Sequence, residues 1–129
     1  MTPEEILMMR AGRDLNIRVA EDVMGDRFVT DEIFGDIQIG DDSAWMPLQP
    51  YSEDEAVIGD LLTKLRLCYG TTIDLDCFQG TWRADVNVDG EGVQYYYPEF
   101  NAISLTEAIC KAALLLVHTQ ATSPDCQPV

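Results

Sequence analysis

The clearest pattern in the chain is a stripe near its end. Leu105, Ala108, Ile109, Ala112, Ala113, Leu116 and Val117 recur at helical spacing, which predicts a helix over 105–118. Its small alanines allow a close approach to a neighbouring sheet. A second stripe, Ile58, Leu61, Leu62, Leu65, Cys68 and Tyr69, predicts a helix over about 53–69 that Gly70 stops. Between the two stripes the period changes to two. Ile73, Leu75 and Cys77 alternate with Asp74 and Asp76, and Trp82, Ala84, Val86 and Val88 alternate with Arg83, Asp85 and Asn87. Val93, Tyr95 and Tyr97 then alternate with Gln94 and Tyr96. Three strands, 72–78, 81–88 and 93–97, are therefore expected in a sheet with one packed and one wetter face.

Toward the N-terminus the pattern is weaker but punctuated. Thr2-Pro3-Glu4-Glu5, Ser52-Glu53-Asp54-Glu55 and Ser104-Leu105-Thr106-Glu107 are three S/T-x-x-E capping boxes, each marking a helix start. The first opens a short helix over 3–10, with Pro3 suited to its first position. A second helix over 12–24 buries Leu15, Val19, Ala20, Val23 and Met24 and ends at Gly25. In the acidic stretch 26–50, Phe28-Val29 and Ile37-Gln38-Ile39 predict a small hairpin with Trp45-Met46 packed beneath it.

These elements give an α+β fold: a small sandwich of two N-terminal helices and an α-β-β-β-α core, its three-stranded antiparallel sheet packed by helices. The element order matches the topology of double-stranded-RNA-binding domains, as fold analogy alone. One domain is expected over 1–118, with 26–50 as an acidic insertion, followed by a flexible tail over 119–129. At 129 residues and 47% hydrophobic content the chain can bury a core. Its longest apolar run, 112–117, is too short to span a bilayer, and its start lacks a secretory signal pattern. Neither membrane insertion nor export is expected.

Charge changes the picture most. The formal net charge is −15, from 23 acids and 8 bases. Residues 19–63 hold twelve acids against Arg27 alone, hence −11 of that total. Such a surface repels phosphates, so direct DNA or RNA binding is not expected. The position where RNA-binding relatives of this topology carry lysines reads Ser104-Leu105-Thr106-Glu107. A basic protein would be attracted instead. The four cysteines, Cys68, Cys77, Cys110 and Cys126, form no C-x-x-C pair and read as free thiols in a reducing compartment.

Candidate chemistry is sparse. Asp85, Asn87, Asp89 and Gly90 follow the D-x-N-x-D-G spacing of a calcium loop, but the twelfth position is Tyr96, not a bidentate glutamate. Asp89-Gly90-Glu91-Gly92 reads better as a hairpin connection. His118, the single histidine, lies eight residues from Cys110 on one helix, too far for a nucleophile–base pair within it. No nucleophile elbow, phosphate loop or dinucleotide fingerprint occurs. A possible binding face comprises Asp74, Asp76, Arg83, Asp85 and Tyr96, which alternation places on the wetter side of the sheet.

The segments Glu4 to Gly25 ("EEILMMRAGRDLNIRVAEDVMG"), Pro50 to Leu65 ("PYSEDEAVIGDLLTKL") and Glu107 to Val117 ("EAICKAALLLV") together resemble the phage ABA sandwich domain family of Firmicutes phages and prophages. Gly59 departs from the bulky aromatic of that pattern. The resemblance implies a phage-encoded protein of a bacterial host cytoplasm, a small sandwich with helices on both sides of a sheet, and no catalytic residues.

Three function classes follow. The leading expectation is a non-enzymatic phage accessory protein, without a cofactor, that binds a host or phage protein or mimics a polyanion. It is expected to form a small homo-oligomer through tyrosine and tryptophan surface. The second class is capture of a small ligand such as a nucleotide signal, which needs Arg10, Arg13, Arg18 and Arg83 to converge. The third is a divalent-metal enzyme using Asp74, Asp76 and Asp85.

Overall fold

In a computed structural model, residues 2–88, 93–95 and 102–119 are described. Within them the chain is an α+β fold, with helices α1 (Pro3–Met8), α2 (Arg13–Arg18), α3 (Ile58–Tyr69) and α4 (Leu105–Thr119). Strands β1 (Arg27–Asp31), β2 (Gly35–Ile39) and β3 (Trp45–Pro47) form one antiparallel sheet. Strands β4 (Thr71–Phe78), β5 (Thr81–Val88) and β6 (Val93–Tyr95) form a second. The expected order of helix, three strands, helix is present as α3-β4-β5-β6-α4.

Helix α4 is the spine. Its residues Thr106 to Leu116 are all buried, so the amphipathic stripe of the sequence becomes a helix enclosed on every side. Leu114, Leu116, Ala113 and Cys110 join Ala84 and Val86 of β5, Leu61, Leu65 and Cys68 of α3, and Ile6 of α1 in one continuous apolar cluster. Alternation along β4 and β5 works as expected on this side: Ile73 pairs with Val86 and Leu75 with Ala84, all turned toward the helices. The β4–β5 turn places both Gln79 and Gly80 at positive φ, 51° and 80°, as a two-residue turn twisted to match the strands demands. Gly70 ends α3 in the left-handed conformation, its N–H donating to the Arg66 carbonyl at 3.0 Å.

The structure departs from the sequence expectation in four places. The second helix is not continuous: α2 gives way to a π-helical turn, Val19–Val23, in which the Met24 N–H donates to the Val19 carbonyl. This wider turn buries Val19, Ala20 and Val23 together, and it packs against α4. Trp45 and Met46 do not lie beneath the hairpin. They extend it as a third strand, Ile39 pairing with Trp45 and Gln38 with Met46. The third helix begins at Ile58 rather than at 53, after a 3-10 turn, Glu55–Val57, whose cap is Asp54, not Ser52. Ser52 is buried and serves elsewhere. Finally, Cys77 is exposed and Cys68 is disulfide-bonded to a partner outside the described residues, so the picture of uniformly buried free thiols holds for Cys110 alone among the described cysteines.

The capping boxes at the ends of the chain do form. Thr2 accepts the Glu5 N–H at 3.2 Å, and Ser104 accepts the Glu107 N–H at 3.2 Å. Glu107 reaches back one residue further than the motif anticipates, accepting the Ile103 N–H at 2.6 Å. The 119–129 tail and the Asp89-Gly90-Glu91-Gly92 connection lie outside the described residues, apart from Thr119. The strands flanking that connection pair Val88 with Val93, so strands and not helices stand on either side of the calcium-like spacing.

Two outcomes test this packing. At Gly59, exposed in the first turn of α3, an added methyl would meet no atom within 4 Å. Gly59→Ala should therefore stabilise the protein by roughly 0.5 kcal/mol through helix propensity, measured by urea denaturation. Glu107→Gln removes the carboxylate charge 3.6 Å from the buried Lys111 ammonium and should cost about 3 kcal/mol in the same assay.

Candidate functional site

Two surfaces hold the residues that sequence singled out. The first is the face of the second sheet opposite the core. Cross-strand register sets Asp74 beside Asp85 and Asp76 beside Arg83, so four of the five anticipated residues do share a face. Tyr96 lies outside the described residues. Arg83 donates to Asp76 at 3.0 Å and stands 3.6 Å from Asp85, while Asn87 donates to Asp74. On this wetter face Asp85 is nonetheless buried, only 6% exposed. Burial pushes its carboxyl above the ordinary aspartate range, Arg83 opposes that rise, and the nearby Asp76 and Asp74 charges add to it. The carboxylates thus form an internally paired strip. Among the described residues, no group of three histidine, cysteine or acidic side chains is placed to hold a metal ion.

The bases that nucleotide binding would need are divided. Arg10 and Arg13 line one shallow depression with Met9, Ala11, Gly12 and Asp14, while Arg18 lines a neighbouring one with Ile17 and Glu21. Arg13 forms a two-pronged pair with Asp36, at 2.7 and 3.2 Å, and Arg10 stands 3.8 Å from Glu107. Arg83 belongs to the second sheet, against Asp76 and Asp85. His118 lies 3.4 Å from Asp22 of the π-helical turn. Cys110, on the same helix, is fully buried, and desolvation drives its thiol far above the ordinary cysteine range.

The second surface is the acidic sheet β1-β2-β3, and here sequence reasoning missed most. Residues 26–50 carry six acids and one base. Several of those acids are structural. Asp31 accepts the N–H groups of Ile33 (2.7 Å) and Phe34 (2.9 Å), fixing the β1–β2 turn, and these bonds hold its carboxyl below the usual range. Asp42 accepts the Ala44 N–H at 3.0 Å in the β2–β3 turn. Asp36 is held below the usual range by Arg13, whose guanidinium also lies over the Phe28 ring.

The inner face of this sheet is anchored by Gln38, which is fully buried. Its amide donates to Tyr51 Oη at 2.7 Å and to Asp26 at 2.6 Å, and its oxygen accepts the Gln49 N–H at 3.2 Å. The outer face is largely apolar, with the exposed Arg27 of the edge strand β1 in register with Ile39 and Trp45. Val29, Ile37 and Pro47 are register partners, as are Ile39 and Trp45, so they share a side. Ile37 is buried but stands outside the principal core cluster. Phe34 closes on Trp45 with ring centroids 5.3 Å apart at 50°. Yet Phe34 is 63% exposed, Trp45 57% and Ile33 85%. The signal that could have found this face was the interruption of an acidic run by Ile33-Phe34 and Trp45.

Comparison with solved structures places the fold beside a structure described as a phage protein from Bacillus cereus ATCC 14579. That neighbour matches with a TM-score of 0.53 and 21% identity, over 89% of this chain and 86% of that one. No family model and no curated protein matches the sequence.

Asp85→Asn tests the strip. Because the Asp85 carboxyl is raised in the fold, its contribution to stability is present below the ordinary aspartate pKa and is lost as pH rises through the raised value. The variant should therefore melt a few degrees above the parent at pH 7, and the difference should shrink toward zero below about pH 4. Thermal melts across that range measure it.

Proposed function

We propose that the chain is a phage-encoded accessory protein that acts in the cytoplasm of a bacterial host, without catalysis, by binding a basic protein there. The observation that carries this reading is the folding of the acidic stretch. Instead of an unstructured insertion, residues 26–50 build a sheet whose turns display Glu32, Asp41 and Asp42 to solvent. An acidic surface on a rigid scaffold steers a basic partner and fixes the approach in a way that a loose polyanion does not. The phage origin is supported by the resemblance of the three quoted segments to the ABA sandwich family and by the fold shared with the Bacillus cereus phage protein. Among the described residues no helix is long and apolar enough to cross a membrane.

The other classes have less behind them. For the small-ligand reading, three of the four bases already face acids: Arg13 with Asp36, Arg10 with Glu107, and Arg83 with Asp76. For an enzyme using Asp74, Asp76 and Asp85, the carboxylates face Asn87 and Arg83, with no metal-holding group among the described residues. For a homo-oligomer through aromatic surface, Trp45 is exposed among the described residues, whereas Tyr51 and Tyr69 are buried and Trp82 packs against the core.

The test is a charge reversal that spares the fold. The double variant Glu32→Lys, Asp41→Lys alters two exposed side chains, leaves the turn-forming Asp42 in place and should keep the melting temperature within a few degrees. Partners recovered from a Bacillus lysate by the parent should be basic and released by moderate salt, and the variant should recover them about tenfold less well. Recovery that neither salt nor charge reversal changes would refute the reading.

A further inference from the structure

The outer face of the first sheet brings together three exposed apolar side chains, Ile33, Phe34 and Trp45. Ile33 and Phe34 stand at the tip of the β1–β2 turn, which the Asp31 carboxylate holds rigid through two hydrogen bonds. Phe34 leans on Trp45, and the exposed Val29 continues the apolar strip down the strands beside the buried Ile37. Asp31, Glu32, Asp41 and Asp42 lie at the turns that frame it. Preformed aromatics inside a charged rim are the arrangement that concentrates binding energy at protein interfaces, because the rim excludes water from the centre.

The charge of the rim selects the occupant. A membrane surface and a nucleic acid are both polyanions and would be repelled. A second copy would bring two acidic rims together, each from a segment of six acids and one base on a chain of net charge −15. A protein surface with a shallow apolar depression ringed by lysine or arginine fits both the centre and the edge.

We propose that the Ile33-Phe34-Trp45 face of the β1-β2-β3 sheet is the docking surface for such a basic-rimmed apolar depression, with Phe34 and Ile33 as its anchors. This rests on the reading of the protein as a binder of a basic partner and assigns that binding to one face. Position-specific photo-crosslinking in a Bacillus lysate separates the two claims. The variant Ile33→benzoylphenylalanine is compared with the same residue placed at Leu67 and at Phe78, exposed apolar positions of α3 and β4.

A crosslink formed from position 33 and from neither control is expected. Sequencing of the joined peptide should then show an apolar stretch flanked by lysine or arginine, and Phe34→Ser should reduce the yield about tenfold with an unchanged melting temperature. A basic protein joined only from position 67 or 78 would leave the binding reading standing and overturn this placement. A crosslink to a second copy of the chain, to nucleic acid or to lipid would overturn the choice of occupant. Absence of any specific crosslink from all three positions would overturn both claims.

Discussion

The fold is held together by a buried chain of polar contacts running from the first sheet to the last helix. Gln38 of β2 binds Tyr51, and the next residue, Ser52, accepts the Gly12 N–H at 2.9 Å while its hydroxyl donates to Asn16 at 2.6 Å. Thr106 donates to the Ser52 carbonyl at 2.8 Å, and its neighbour Glu107 accepts N–H groups from Ala11 and Ile103. Lys111, one turn further on, stands 3.6 Å from Glu107 and donates to the Leu7 carbonyl at 2.9 Å. Three segments far apart in sequence are pinned at one seam. Buried polar groups of this kind add little net stability when satisfied and exact a large penalty when one member is lost. Their effect is to permit one arrangement of these segments and penalise the rest.

That seam explains why the acidic stretch can be both charged and rigid. Its inner face is fixed through Gln38 and through the Arg13–Asp36 pair, so no apolar residue on its outer face is needed to dock it. Phe34 and Trp45 are left facing outward on a sheet that does not depend on them. The second sheet is organised the other way. Its apolar face lies against α3 and α4, and its charged face pairs Asp76 with Arg83 and Asn87 with Asp74, with the buried Asp85 3.6 Å from Arg83. The molecule thus has a self-paired surface on one sheet and an unpartnered one on the other, and the functional reading follows from that contrast.

Much of the architecture was legible because it depends on period. The stripe of α4 and the alternation of β4 and β5 placed those elements within a residue or two, Gly70 marked the end of α3, and the Ser104 cap marked the start of α4. What escaped was contact between distant segments. Ser52 looks like a helix cap because the local motif is complete, yet Gly12 and Asn16 claim its hydroxyl first. Glu107 is likewise half of a recognisable capping box, but nothing local announces that it is only 1% exposed and also binds Ala11. The π-helical turn at Val19–Val23 reflects packing on α4, which no intrinsic propensity encodes. The candidate face on the first sheet was hidden for a related reason. Its apolar residues come from a turn and a three-residue strand, too short for any periodicity to register.

Amide hydrogen exchange of Thr106→Val against the parent tests the polar seam most directly, because the substitution keeps the shape of a buried side chain and removes its hydroxyl bonds, to the Ser52 carbonyl across the seam and to the Ser104 hydroxyl within the same turn. The amides of β1, β2 and β3 should lose protection well before those of β4 and β5, with the first sheet opening as a unit once its link to α4 is weakened. Protection that falls equally in both sheets, or in neither, would contradict the idea that this seam holds the acidic sheet in place.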